Sequence, residues 1–530
     1  MHSNGSWFAR HSFWVIVSLA LCLYLPLLSR NYDPNGLTEA EALQAGHAVN
    51  LFDPNHLLYR PIGSLVRQGL SLIGIVLSPL NLLQILSAVF GAIGIGFVYL
   101  SVRELTSNRT IAMWASALLA VSWSYWTLST DVYYFSMAAM FLAAAFYFFV
   151  RSDSPWSFAV CGVLAGASIL ACQANVFVLP GFGAALLVRE SRPRLRIAVK
   201  RMLLIWIPAT AVVGITFLSA GVLVYGQRTA GGLYRWATRY SGTTLPMWGS
   251  WAPARFLAVA GSAFRSVLGW DLWMFGFFQR HLHNGQLPGW VAPLGFAFVA
   301  SGLIAAFYWG TSKGSDQDRM TLSLLLLYLI YAPFIIWWEA VEPRWFIMPN
   351  IFLVALAAVI ASRWTQWRLL PHALAATLIV LGSVNLALSI WPKHFRTSVP
   401  SQMAACVAGH MDQHDLFLAT EWNWAPYLPF VHNREMLSFI GEVSRTGDKT
   451  LAIRSINEHI VERQRQGGRV FMIDFRSYPH EYMQWLRDQT KLTESDLTVY
   501  SGERTFECVY SRFYELDPWT GPSSVKTPGN

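Results

Sequence analysis

"RESRPRLRIAVKR", residues 189–201, is the most basic run of the chain, and the topology turns on which side of a membrane it occupies. Apolar stretches flank it on both sides. Cytoplasmic loops of membrane proteins collect Lys and Arg. The apolar run before it, 156–188, reads either as one long kinked helix or as two short ones with a turn at "CQAN". Two helices put the basic run on the same side as Arg10, Arg103, Arg109 and Arg151. One helix puts it opposite. With two, Lys313, Arg319, Arg363 and Arg368 also fall on that side, and the N-terminus is cytoplasmic.

Composition demands the membrane. The 530 residues are 54% hydrophobic, 15% aromatic and only 13% charged, against about 25% charged in soluble domains. Mean hydropathy is +0.37. Charge is unevenly spread: residues 393–530 hold 15 of the 39 basic and 17 of the 30 acidic residues. The basic excess therefore belongs to the apolar part, where topology explains it better than nucleic acid does. The expected fold class is an α-helical polytopic membrane protein with a C-terminal α/β soluble domain.

A spanning helix needs about 20 mostly apolar residues. The candidates are 13–28, 80–102, 110–128, 132–150, 156–171, 175–188, 202–225, 290–310, 322–338, 346–361 and 373–391, about eleven spans. The first follows Arg10 and has no small-residue cleavage site after it, so it reads as a retained anchor. Residues 256–278 are apolar but carry Arg265 and Asp271, which are costly at mid-bilayer. They read as a helix lying in the interface. The expected domains are a membrane part over 1–392, with outer loops 29–79 and 226–289, an extracytoplasmic domain over 393–516, and a disordered tail over 517–530. Trp and Tyr crowd the expected span ends in "WSYW", "IIWWE" and "EPRW", as interfacial belts do.

The tail alternates in period. "SQMAACVAGHM", "SINEHIVERQRQ" and "HEYMQWLRDQ" read as helices, and "DLFLAT", "RVFMIDF" and "RTFECVYSRF" as extended. Such alternation predicts a small α/β layer domain. Cys406 and Cys508 lie in it and can pair outside the cytoplasm, though spacing alone does not decide this. No CxxC is present, so no zinc ribbon or redox pair is indicated.

The acids of the apolar part gather in a few places. Asp33, Glu39, Glu41 and Asp53 follow the first span. Glu39 and Glu41, two apart, point about 200° from each other on a helix, so one of them at most faces a common site. Asp131 sits in "WSYWTLSTDVYYF", between two spans, framed by Trp126, Tyr133 and Tyr134. "EAVEPRW" adds Glu339, Glu342 and Arg344. By the adopted topology all three loops face one side. A carboxylate there can take a proton from a hydroxyl, and an Arg fork can hold a phosphate as its charge grows. That combination suits transfer of a group from a lipid phosphate to a hydroxyl. Taken singly, each feature is also ordinary: acids are common in solvated loops, a turn needs a polar residue, and Arg snorkels at interfaces.

Three stretches carry a resemblance to a known family. "TEAEALQAG…DPNHLLYRP" after the first span, "STDVYYFSM" after the third and "VEPRWFIMPNIFLV" before a late span resemble the GT-C fold of polyprenyl-phosphate-sugar glycosyltransferases. Protein O-mannosyltransferases and the aminoarabinose transferases of lipid A belong to it. The likeness covers roughly residues 10–390 in architecture. It implies an inverting sugar transfer from a polyprenyl-phosphate donor to an acceptor hydroxyl outside the cytoplasm, in the plasma (inner) membrane, metal-independent or assisted by a divalent metal. It nominates Glu39 first, then Asp33 and Glu41, as the base, with Asp131 as a second acid. Arg344 is assigned to phosphate, and His56, Tyr59, Arg60, Tyr133 and Glu342 to the substrate. The chain departs from the family in lacking an adjacent acid pair at the start of the loop, and in reading "DPNHLLY" where His-Pro-Pro-Gly is common.

Other signals point elsewhere. "GAIGIG" lies inside an apolar run, where small residues let helices approach. Cys406, His410 and His414 make a stripe that packing explains. The pair His281 and His283 reads as an interfacial loop. No HExxH, phosphate-binding loop or nucleophile elbow occurs. The alternative functions are a polytopic lipid or sugar transporter or flippase, and a non-catalytic membrane scaffold. Transporters place ionisable groups inside spans, whereas these spans are nearly free of charge.

Overall fold

The computed structural model describes residues 5–151, 153–190, 195–238, 253–269, 315–340, 342–420, 424–446, 448–477, 480–509 and 511–518. The expected span at 290–310, Asp271, His281, His283 and residues 519–530 of the tail lie outside them. The chain divides into two compact units.

The first unit is helical. Each expected span other than 290–310 falls on helical residues, though 110–128 and 322–338 are each divided between two helices, and several helix starts have local causes. Helix Pro79–Thr106 starts where the Ser78 hydroxyl accepts the Asn81 N–H and Pro79 supplies a pre-set φ. Asn108 caps Arg109–Val121 and Ser154 caps Pro155–Ala171 in the same way. Among the described residues, Pro79–Thr106, Leu195–Val224, Asp316–Glu339 and Leu370–His410 are long and apolar enough to cross a membrane. A fifth counts if the bent pair Arg109–Val121 and Trp123–Thr130 is one span. His11–Leu27, Phe135–Arg151, Pro155–Ala171, Gln173–Arg189 and Pro349–Ser362 are apolar but shorter. At about 1.5 Å per residue they fall short of a ~30 Å core.

The run at 156–188 is interrupted at the expected turn. Helix Pro155–Ala171 stops at Cys172, Gln173–Phe177 makes a 3-10 turn, and Val178–Arg189 resumes. Asn175, fully buried, fixes the turn. Its amide donates to Ser168 Oγ at 2.6 Å and its carbonyl accepts from Tyr331 Oη at 3.1 Å.

A second break shapes the site. Ser122 adopts extended dihedrals, and the axis turns by 62° between Arg109–Val121 and Trp123–Thr130. The Asn385 amide donates to the carbonyls of Val121 (2.7 Å) and Val267 (2.8 Å), and Trp123 Nε1 donates to Ser389 Oγ at 2.8 Å. The bond to Val121 satisfies a carbonyl that the bend leaves open, and the other two tie neighbouring elements to it. The short helix after the bend is buried along nearly all its length. "GAIGIG" makes room for it: a Cβ on Gly91 would stand 2.2 Å from Ser129 Oγ, and one on Gly94 would stand 2.3 Å from Tyr125 Oη.

The second unit joins residues 31–41 to the described residues from Arg396 onward. Its five strands are β1 (Leu416–Ala419), β2 (Glu435–Ser438), β3 (Val470–Ile473), β4 (Arg504–Cys508) and β5 (Ser511–Glu515). The order is β2-β1-β3-β5-β4, with β2, β1 and β3 parallel and β5 antiparallel to both neighbours. β1 and β3 are buried at every position, as the central strands of a covered sheet must be. Helix Lys449–Arg465 buries Ala452, Ile456 and Ile460 at four-residue spacing against Leu418, Val470 and Met472. Two features differ from the sequence reading. "RTFECVYSRF" is a hairpin rather than one strand, turning where Val509 takes φ +58°. β2, a half-exposed edge strand, carries too little periodicity to show in sequence. A disulfide joins Cys406 and Cys508, with Cα atoms 5.8 Å apart.

Candidate active site

Asp131 caps the C-terminal end of Trp123–Thr130 and is 2% exposed. Its Oδ1 accepts the N–H of Val132 at 2.8 Å. The residue before it is tied down twice: the Thr130 carbonyl accepts the Ser29 N–H (2.8 Å) and Gln84 Nε2 (3.0 Å). Gln84 also donates to the Ser29 carbonyl at 2.6 Å. One buried amide thus locks the exit of the first helix to the loop that carries Asp131.

Tyr133 and Arg344 meet across 211 positions of sequence. Arg344 Nη1 donates to Tyr133 Oη at 2.7 Å, and the guanidinium carbon lies 5.7 Å from the ring centroid. Nη2 is 3.4 Å from Glu339 Oε2 and 3.9 Å from Glu342 Oε2. Trp345 Nε1 also donates to Glu339 Oε2, at 3.1 Å. Glu342 caps the turn Pro343–Ile347 by accepting the Arg344 N–H. The guanidinium is a fifth exposed, and both carboxylates about a quarter. The cation is held in a partly open setting.

The aromatic wall continues from Tyr133. Tyr134 stacks on His56, with centroids 3.6 Å apart, and lies 5.2 Å from the Tyr133 ring. Tyr59 is fully buried, and its hydroxyl is within 3.0 Å of Ser87 Oγ. Ser87 in turn donates to the Tyr133 carbonyl at 3.1 Å. Phe135 packs edge-on against Trp345. Arg60 faces inward to Asp53 at 3.7 Å and donates to the Asn50 carbonyl at 2.7 Å. Asp53 and Arg60 are 3% and 9% exposed, so this pair fixes the loop that presents His56. Gln173, in the "CQAN" turn, holds the same loop through the Pro54 carbonyl at 2.8 Å.

The first unit therefore gathers His56, Tyr59, Tyr133, Glu342 and Arg344, with Asp131 two positions before Tyr133 in the chain and Arg60 turned to Asp53 and Asn50. Asp33, Glu39 and Glu41 belong to the second unit. There they sit at the start and on the body of helix Pro34–Ala45. Asp33 Oδ1 accepts the N–H and the side-chain amide of Asn35, both at 2.9 Å. Glu39 is 3% exposed, whereas Glu41 faces solvent. The two-residue offset separates them, as helix geometry requires. Gln84, Ser87 and Trp345 were not singled out from sequence. The signal for Gln84 and Ser87 was available: they are polar residues inside the apolar run 80–102.

Among the described residues, the His/Cys/Asp/Glu group compact enough for a metal ion is Cys406, His410 and Cys508. Its two sulfurs are joined to each other, which leaves no thiolate for a metal. Glu339 and Glu342 already face a guanidinium, so this set does not suit a divalent cation.

No described protein family and no curated protein matches the chain by sequence. Solved structures do resemble it. The archaeal oligosaccharyltransferase AglB from Archaeoglobus fulgidus, in complex with an inhibitory peptide and a dolichol-phosphate, aligns over 98% of this chain and 76% of its own. Identity is 12% and the TM-score 0.48. ArnT from Cupriavidus metallidurans bound to undecaprenyl phosphate aligns over 98% of this chain and 100% of its own, at 14% identity and a TM-score of 0.40. Its apo form scores 0.39 at 15% identity.

Proposed function

We propose that this chain is a plasma-membrane glycosyltransferase of the GT-C type. It moves a sugar from a polyprenyl-phosphate donor to a hydroxyl acceptor on the extracytoplasmic side, with inversion. The observation that carries the reading is the meeting of three stretches far apart in sequence. "DPNHLLYRP", "STDVYYFSM" and "VEPRWFIMP" supply His56 and Tyr59, Tyr133 and Tyr134, and Arg344 to one aromatic-walled cluster. Aromatic faces suit a sugar ring, and a guanidinium fork suits a phosphate.

In this reading the acceptor hydroxyl attacks the anomeric carbon. Its proton passes to a first-loop carboxylate, and the bond from that carbon to the phosphate oxygen breaks. Polyprenyl phosphate departs with its growing charge facing Arg344. Tyr133 orients the guanidinium through Nη1. Glu339 and Glu342, at 3.4 and 3.9 Å, balance its charge before the donor arrives. The donor's phosphodiester carries one negative charge, and the polyprenyl phosphate that leaves gains a second, which the guanidinium fork can hold through paired hydrogen bonds. Glu39 is taken first as the base, with Asp33 and Glu41 after it, in the order the sequence resemblance implies; Glu39 is buried, Asp33 Oδ1 accepts from Asn35, and Glu41 is exposed. No step passes through a metal.

The test is release of polyprenyl phosphate from a panel of polyprenyl-phosphate sugars by the purified protein, with Glu39→Gln and an EDTA arm in parallel. Turnover by the wild type and its loss in the variant is expected, and the EDTA arm decides whether a divalent metal assists. Turnover that survives Glu39→Gln moves the base to Asp33, Glu41 or Asp131. Transport of lipid or sugar without bond cleavage in proteoliposomes would replace the enzyme reading with the transporter one.

A further inference from the structure

The helix that bears Glu39 begins in a clamp. Asn31 Nδ2 donates to the Arg396 carbonyl at 2.5 Å, and Asn31 Oδ1 accepts the Ser398 N–H at 2.8 Å. One amide side chain thus pairs with backbone on both sides of Thr397, at the entry to helix Val399–His410. One residue later, Tyr427 Oη donates to the Tyr32 carbonyl at 2.7 Å, and the two rings lie 6.5 Å apart. Tyr427 is 2% exposed and starts helix Tyr427–Val431. Asp33 then closes the turn into Pro34–Ala45. All these groups belong to the second unit.

The anchor points are themselves held. Ser398 is the N-cap of Val399–His410, its hydroxyl accepting the Ser401 N–H at 3.2 Å. That helix is joined to β4 through Cys406–Cys508. Residues 31–32 are therefore fastened to elements more than 360 positions away in sequence, by groups with defined direction. A solvated connecting loop needs none of this, because fixing each residue's backbone costs conformational entropy.

We propose that Asn31 and Tyr427 are positioning residues, through which the C-terminal domain sets the placement of the Glu39 helix. The inference rests on the glycosyltransferase reading for its catalytic half and on geometry for its clamp half. Misplacing a catalytic group by about an ångström can cost ~100-fold in rate, so loss of one hydroxyl is read in turnover rather than in folding.

Two measurements on the full-length protein in detergent test it. The first is hydrogen exchange of peptides covering residues 34–45 in wild type, Tyr427→Phe and Asn31→Ala. Exchange about tenfold faster in both variants is expected, with the central strands Leu416–Ala419 and Val470–Ile473 unchanged. Unchanged exchange at 34–45 in both variants overturns the clamp. The second is donor turnover. We expect kcat to fall about tenfold in both variants with KM for the donor unchanged. Asn31→Asp, which keeps the acceptor for Ser398 N–H, recovers part of the loss. Faster exchange with wild-type kcat overturns the positioning role. If the wild type turns over no donor at all, the glycosyltransferase reading fails, and the exchange result alone decides the clamp.

Discussion

Arg344 is where charge, geometry and aromatic packing coincide. A guanidinium presents five N–H donors in a rigid plane, whereas an ammonium presents three on a flexible stem. Arg344 uses that plane to bond Tyr133 with one nitrogen while the other faces Glu339. Arg344→Lys keeps the charge and loses the fork. The expected result is a fall in kcat of about 100-fold, the size seen on losing one donor to a developing anion, with little change in thermal stability. Tyr133→Phe removes one bond to the guanidinium and leaves the wall intact, so a smaller loss, roughly three- to tenfold, is expected. Steady-state kinetics of polyprenyl phosphate release measure both. Equal losses in the two variants would mean that the tyrosine hydroxyl acts on the substrate itself.

Elements were legible in sequence where composition dictates them. Helix positions followed from apolar length, and the helix is interrupted at "CQAN", where a turn was expected. The packing role of "GAIGIG" followed from small residues in an apolar run. What sequence did not show depends on partners far along the chain. The 62° bend at Ser122 is held by Asn385, and the position of Asp131 by Gln84. Residues 31–41 belong with a domain that starts near residue 396 because of Asn31 and Tyr427, and no local pattern announces such bonds. Close helix approach is testable at one pair. A Cβ on Gly162 would stand 2.2 Å from the Ile205 carbonyl oxygen, in the helix Leu195–Ser219. Gly214, on that same helix, has nothing within 4 Å of such a Cβ. Gly162→Ala forces the two backbones apart and is expected to cost about 1–3 kcal/mol. Gly214→Ala should be neutral or slightly stabilising, since Ala is the better helix former. Thermal unfolding in detergent compares them, and equal effects would refute the close approach.

At the scale of the whole molecule, two compact units differ in what stabilises them. The first buries helix on helix around apolar faces, with Cys161 and Cys172 as buried free thiols. The second has its own core, built from Leu418, Ile456, Val470, Met472 and Tyr514, and one covalent tie. Cys406 and Cys508 are 102 positions apart, so their bond closes most of that domain into a single loop. Chain entropy assigns a loop of this size about 4.7 kcal/mol, and measured disulfides usually contribute about 2–4. Calorimetry of the full chain should therefore show two transitions. A thiol reductant should lower the transition of the C-terminal unit by roughly 10 °C, given about 3–5 °C per kcal/mol for a domain of this size. The other transition should stay, because the first unit contains no disulfide among its described residues. Cys406→Ser should reproduce the shift and make it insensitive to reductant. One merged transition, moving as a whole with reductant, would mean that the units unfold together. The disulfide would then stabilise the membrane unit as well.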